Sequence, residues 1–188
     1  MSVPILIPRR LCSSPAGRFG PLGVDRHDLE TEGVAHTAFT MVLADWVAVA
    51  ATTEDGQILL VRQHRHGVDA VTLEVAGGCI DPGEEPEVAA LRELREETGY
   101  AAEVVESLGW VHPNPAIQGN RCFLYLARGA KHVGPPAGDE HESVEPVLLA
   151  PEEIPAATRD GRISHVLAVI ALDRALAWLS AHGQRPRP

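Results

Sequence analysis

The chain is poor in cysteine, in aromatic side chains and in basic residues, and each shortage removes a class of protein. Three cysteines, Cys12, Cys79 and Cys122, are spread over 188 residues. No CxxC pair offers a zinc site and no paired framework suggests a stapled secreted fold, so a reducing cytoplasm is the expected compartment. Aromatics make up 4% of the chain. Phe19, Phe39, Trp46, Trp110, Phe123, Tyr125 and Trp178 are the stacking candidates, and most are expected in the core. Lys and Arg number 16 against 26 Asp and Glu, a net charge of −10. That balance argues against a nucleic-acid groove, which needs clustered bases. It leaves room for an anionic small molecule, because a bound cation inverts the local sign. Long apolar runs are missing too. The longest helical candidate, residues 163–182, is broken by Asp173 and Arg174, so no membrane span is expected. Near the N-terminus the basic pair Arg9-Arg10 follows a short apolar run, the reverse of a signal peptide. No HExxH, G-x-S-x-G or P-loop pattern occurs.

What remains is an α/β pattern. Residues 1–16, rich in Pro, Arg and Ser, read as an irregular arm. "RFGPLGVDRHDLE" and "VAHTAFTMVLA" read as extended segments. "WVAVAATTEDGQILLVRQHR" is a hairpin turning at Glu54-Asp55-Gly56, and "VTLEVAGG" is a further strand. Pro86 suits the first turn of a helix that runs to Thr98 and stops at Gly99. "AEVVESLGWV", "RCFLYLARGA" and "VEPVLLA" read as strands. "PEEIPAAT" and residues 163–182 read as helices, with "GPPAGDEHE" a mobile loop and "GQRPRP" a disordered tail. The expected organisation is an arm with antiparallel strands over 1–44, one α/β domain over 45–182 and a tail over 183–188.

The helix itself is unusual. From Gly78 to Tyr100 there are seven acids, Asp81, Glu84, Glu85, Glu87, Glu93, Glu96 and Glu97, against two bases, Arg92 and Arg95. Like charges this dense repel, so something positive is expected among them. At roughly 100° per residue, Glu93, Glu96 and Glu97 share about a third of the helix circumference, with Val88, Leu91 and Leu94 expected to face the core. Three carboxylates so placed form an oxygen-rich patch suited to a hard divalent cation. A Glu-rich helix is more often a solvated face, and spacing decides between the two. Gly78, Glu84, Arg92-Glu93, Glu96-Glu97 and Gly99 stand at fixed intervals. Chance would give that on the order of 10⁻⁹ per start position at average residue usage.

This pattern resembles the Nudix box, complete at every fixed position. The resemblance implies a Nudix-type α/β/α sandwich with a mixed sheet and a loop–helix–loop metal site. It implies hydrolysis of a nucleoside diphosphate linked to another moiety, with Mg²⁺ as cofactor and Mn²⁺ as a substitute. Glu93, Glu96 and Glu97 would be metal ligands, with the Gly77 carbonyl as another. Gly78, Glu84, Arg92 and Gly99 would be structural, Arg92 tying the loop through a salt bridge.

The flanks "LLVRQHR" and "LEVAGGCID" resemble the ADP-ribose and nucleotide-sugar pyrophosphatase branch, although Ala76-Gly77 stands where that branch has Pro-Ala. Pro113-Asn114-Pro115, the acidic stretch 139–145 and "DGRISHVLAVIAL" extend the likeness over residues 45 to 178. On this basis Glu142, with Glu140 second, is the candidate base or late metal ligand, alongside Glu97. Arg65 would pair with a phosphate. Arg121, beside Asn120, is a second phosphate or ribose candidate, and Glu74 is either a sugar or base contact or a strand-end charge. The expected function is Mg²⁺-dependent cleavage of the pyrophosphate bond of ADP-ribose or a related nucleotide sugar, a small-molecule substrate. Two other readings keep the fold: a hydrolase of a dinucleoside polyphosphate or coenzyme, and a non-catalytic ADP-ribose sensor. A homodimer is expected, with residues from about 17 to 46 at the interface, because N-terminal strands left over from the sandwich need their edges covered.

Overall fold

The computed structural model describes residues 5–137 and 143–183. Two compact units emerge: Met1–Ala44 with His112–Asn120, and Asp45–Val111 with Arg121–Pro188.

The first unit carries an antiparallel sheet of β1 (Arg9–Phe19), β2 (Leu22–Thr31) and β3 (Val34–Val42), in that order. The irregular arm expected over residues 1–16 is therefore corrected: from Arg9 onward it is a strand. Its register against β2 slips between Arg10 and Cys12 and again between Pro15 and Gly17. Pro15 is tolerated because β1 is an edge strand, and the slips absorb residues that a regular ladder would reject. Across this sheet His27, buried, pairs with Ser13 Oγ at 2.8 Å and Thr40 Oγ1 at 2.7 Å.

The second unit holds an eight-stranded mixed sheet. Its members are β4 (Trp46–Thr53), β5 (Ile58–Arg65), β6 (Ala70–Glu74), β7 (Ala76–Cys79), β8 (Tyr100–Ala101), β9 (Val104–Val111), β10 (Cys122–His132) and β11 (Val144–Leu149). The main path runs β11-β5-β4-β10-β8. Strand β4 pairs parallel to β10 and antiparallel to β5 and β7. The β4–β5 hairpin turns where expected, with Gly56 at φ 84°.

Strand β4 is apolar from Trp46 to Ala51 because both of its faces are covered. Val47, Val49 and Ala51 pack with Ala89, Ala90 and Leu94 of α1 (Pro86–Thr98) on one side. Ala48 and Ala50 pack with Ala168, Ala171 and Leu172 of α3 (Val166–Ala181) on the other, joined by Ile154 and Ala157 of the short α2 (Ile154–Arg159). Each fully buried Leu or Ile in these two cores contributes about 1.5–3 kcal/mol relative to exposure. The arrangement is the α/β/α sandwich with a mixed sheet that the family resemblance implies.

Helix α1 begins with Pro86 and ends at Gly99, whose φ of 72° is left-handed and whose N–H donates to the Arg95 carbonyl. Its buried face differs from the expectation. Val88 is 56% exposed. The core-facing stripe is Ala90, Leu94, Glu97 and Thr98, with Ala89 beside it. Val88 precedes Ala90 by two residues, about 200° around the helix, so it cannot share that stripe. The small alanines let the helix settle closely on β4. Of the seven aromatic residues, most are in or against the core as expected: Tyr125 is buried and Trp46, Phe123 and Trp178 pack against the two cores, whereas Phe19, Phe39 and Trp110 are exposed.

Candidate active site

The box loop is organised around Arg92. Its Nε and Nη2 donate to the two oxygens of Glu84, each at 2.9 Å, and Nη2 also donates to the Cys79 carbonyl at 3.0 Å. Its Nη1 donates to Glu93 at 2.8 Å and Glu96 at 3.0 Å. Glu84 accepts the Asp81 N–H as well. Hydrogen bonds from Arg92, then from the Asp81 backbone, hold the Glu84 carboxyl below its usual range. The same contacts, Glu84 foremost, raise the guanidinium pKa further. The guanidinium is thus the positive group that the acidic helix demands, and it locks loop to helix.

Strand β7 brings two glycines against this helix. Gly77 lies opposite Ala48 in the β4 ladder, and a Cβ there would overlap the Val47 carbonyl. Its N–H donates to Glu97 Oε2 at 2.9 Å. A Cβ on Gly78 would strike the Glu93 carboxylate. Gly77 requires glycine for close approach to backbone, and a side chain at Gly78 would displace the Glu93 carboxylate; neither has a left-handed φ.

A cavity of about 800 Å³ opens at this edge. Gly77, Gly78, Cys79, Glu93 and Glu97 line one side. Further lining comes from β5, β6 and the entry to α3, through Gln63, Arg65, Thr72, Glu74 and His165. The register pairs Gln63 with Thr72. Because side chains alternate along a strand, Gln63, Arg65, Thr72 and Glu74 share one face of the β5–β6 ladder. Glu74, 1% exposed, is the centre of this wall. It accepts two hydrogen bonds from the Arg65 fork at 2.9 Å each and one from Thr72 Oγ1 at 2.5 Å. It also pairs with His165 Nδ1 at 2.6 Å. Burial raises the Glu74 carboxyl, but His165, Arg65 and Thr72 together outweigh it and hold the group well below the usual carboxylate range.

Of the residues singled out from sequence, Gly77, Gly78, Glu93, Glu97, Arg65 and Glu74 line the cavity. Glu96 stands on Arg92. Arg121 is not among the lining residues: its side chain donates to Asp45 at 2.7 and 3.1 Å and lies over the Phe123 ring. Asn120, in the other compact unit, donates to the Ala44 carbonyl and accepts from Gln118. Glu140 and Glu142 lie outside the described residues. Gln63, Thr72 and His165 were not anticipated. The alternations Q-x-R and T-x-E on adjacent strands carried a signal for the first two. His165 reaches the wall only through tertiary folding.

Among the described residues, no three His, Cys, Asp or Glu side chains stand close enough together to hold one ion. Arg92 draws Glu93 and Glu96, and the Gly77 N–H engages Glu97. The donor chemistry nevertheless fits a hard divalent cation, because two carboxylates, Glu93 and Glu97, line the same cavity.

A carboxylate-bearing helix behind a Gly-Gly strand end, on one face of a mixed sheet sandwiched between helices, defines the Nudix class of hydrolases. The NUDIX domain description matches residues 43–168, and the chain belongs to that family. It is 36% identical over 127 residues to the methanol dehydrogenase activator of Bacillus methanolicus, 67% of this chain and 69% of that one. To the ADP-ribose pyrophosphatase of Bacillus subtilis it is 38% identical over 81 residues, 43% and 44% of the two chains. To the CMP-5'-(N-acetyl-N-hydroxy-3-aminopropyl)phosphonate hydrolase of Streptomyces rubellomurinus it is 32% identical over 168 residues, 89% and 80%. A solved structure of an ADP compounds hydrolase superposes with a TM-score of 0.86 at 25% identity, covering 98% of this chain and 100% of that one. No helix among the described residues is long and apolar enough to cross a membrane.

Proposed function

We propose that the protein hydrolyses the pyrophosphate bond of ADP-ribose or a related nucleoside diphosphate sugar, releasing a nucleoside monophosphate and a sugar phosphate, with Mg²⁺ as its metal. One observation carries this reading: the box carboxylates Glu93 and Glu97 line the same cavity as the Arg65–Glu74–His165 wall. A pyrophosphate needs both, a place for cations on its oxygens and a polar wall for what lies beyond them. The likeness to the Bacillus subtilis ADP-ribose pyrophosphatase supports the substrate class.

Glu93, Glu96 and Glu97 would hold the metal, with the Gly77 carbonyl beside them. When bound, the ion would neutralise phosphate charge and lower the pKa of an attacking water. Arg65, anchored by Glu74, would pair with a phosphate oxygen. Glu142, with Glu140 second, would take the water's proton.

The nucleoside portion is the open choice, since the relative covering 89% of this chain acts on a CMP-linked phosphonate. Steady-state hydrolysis with Mg²⁺ across ADP-ribose, other nucleotide sugars, that CMP-linked phosphonate and dinucleoside polyphosphates, with products identified, tests both readings. ADP-ribose is expected to give the highest kcat/KM and to yield AMP and ribose 5-phosphate. A preference for the CMP-linked compound would favour the second reading, and no turnover of any would overturn both. In the same assay Glu142→Gln should lower kcat more than it raises KM; a loss confined to KM would make that residue a clamp.

The first unit is proposed to form a homodimer interface. Strand β1 is an edge, and Phe19, Val34 and Phe39 are more than half exposed on this sheet. Light scattering should report twice the chain mass, and deletion of residues 1–44 should give a monomer. A full-length monomer, or a truncated dimer, would refute the assignment.

A further inference from the structure

We propose that Gln63 is a specificity-determining residue, whose side-chain oxygen accepts a hydrogen bond from a hydroxyl or amino group of the substrate outside its phosphates. The inference rests on the pyrophosphatase reading above and names what one part of that cavity selects.

Gln63 is 6% exposed and lines the cavity. Its Oε1 is buried and makes no hydrogen bond among the described residues. A buried acceptor left unpaired is rare in native proteins and costs stability, so its retention calls for a partner from outside the chain. The neighbouring groups do not supply one. The single proton of Thr72 Oγ1 goes to Glu74 at 2.5 Å, with the Gln63 backbone carbonyl at 3.2 Å its alternative acceptor. Glu74 is itself an acceptor, engaged by Arg65, Thr72 and His165.

The chemistry of the partner follows from the sign of the contact. A carbonyl oxygen needs a donor. The inner oxygens of a pyrophosphate carry no proton near neutral pH, so they would repel Gln63 Oε1. Arg65, two residues further along the same face, is a cation and suits those oxygens instead. Gln63 therefore marks the boundary in the cavity where phosphate ends and a proton-bearing group begins. In a nucleotide sugar, two kinds of group qualify: a sugar hydroxyl and the exocyclic amine of the base. A site built to bond such a group discriminates strongly against analogues lacking it.

The test is the KM-against-kcat split of Gln63→Met, which keeps length and volume but removes the acceptor. Three substrates are used: ADP-ribose, its hypoxanthine analogue, which lacks the exocyclic amine, and analogues lacking one sugar hydroxyl each. Gln63→Met is expected to raise KM for ADP-ribose about tenfold, the value of one lost hydrogen bond, with the larger part of the loss in KM. One analogue should show the same KM in wild type and variant, because its partner group is already gone, and that analogue identifies the donor. Melting temperatures measured in parallel establish that the variants are folded, and Gln63→Ala, which needs no repacking, serves if Gln63→Met is not. An active wild type with an unchanged KM in the folded variant overturns the proposal alone. A wild type inert toward all of these substrates overturns the pyrophosphatase reading and the proposal with it.

Discussion

Glu97→Gln is expected to reduce turnover by at least about two orders of magnitude, since in the proposed metal site one charged ligand would become neutral. Glu97 is suited to this test because the substitution preserves its structural contact. The Gly77 N–H donates to one oxygen of the side chain, and the amide oxygen of glutamine can accept the same bond, though more weakly than a carboxylate does. Melting temperature should therefore change little while kcat collapses. The assay is steady-state hydrolysis at saturating Mg²⁺, alongside a chelator control that should abolish wild-type activity. A near-wild-type rate for this variant would show that α1 is not the metal platform.

Arg92→Ala should give the largest stability loss of any single polar substitution in the box. Arg92, Glu84 and Glu93 are partly buried, and one guanidinium serves several carboxylates at once, so its removal should cost more than an isolated exposed pair does. The variant removes the cation from Glu84 and Glu93, both with 13% of the side chain exposed, and takes the Arg92 donor from the Cys79 carbonyl. It also leaves Glu93 and Glu96 facing each other without a cation between them. Arg92→Lys should recover little, because one ammonium cannot reproduce the two-pronged contact with Glu84. Chemical denaturation measures both. A loss below about 1 kcal/mol, the scale of an exposed pair, would refute the view of Arg92 as the organiser of the loop.

The box was legible because its partners are close in sequence. Arg92 and Glu84 lie eight residues apart, so helix geometry and a short loop bring them together. Gly99 as the helix stop and the β4–β5 turn at Gly56 were readable for the same reason. Burial within the helix was not. Periodicity names a face but not its centre, and here Ala89 and Ala90 set the centre. Nothing in the sequence separates Glu97, buried, from Glu96, which is not. The β5–β6 wall of the cavity was half legible. Arg65 and Glu74 stood out as charges near strand ends, but their mutual fork depends on the β5–β6 register. His165 joins from the start of α3, a contact that no local rule predicts. The strand in residues 9–16 was hidden because Pro and Ser in an edge strand look like a loop.

Glu97 shares its helix stripe with Leu94 and Thr98, so the acid and the core of the protein are held by the same packing. Heat cannot loosen the one and spare the other. Thermal inactivation of this protein should coincide with the melting of its tertiary structure, leaving no temperature interval in which an intact fold is already a dead catalyst.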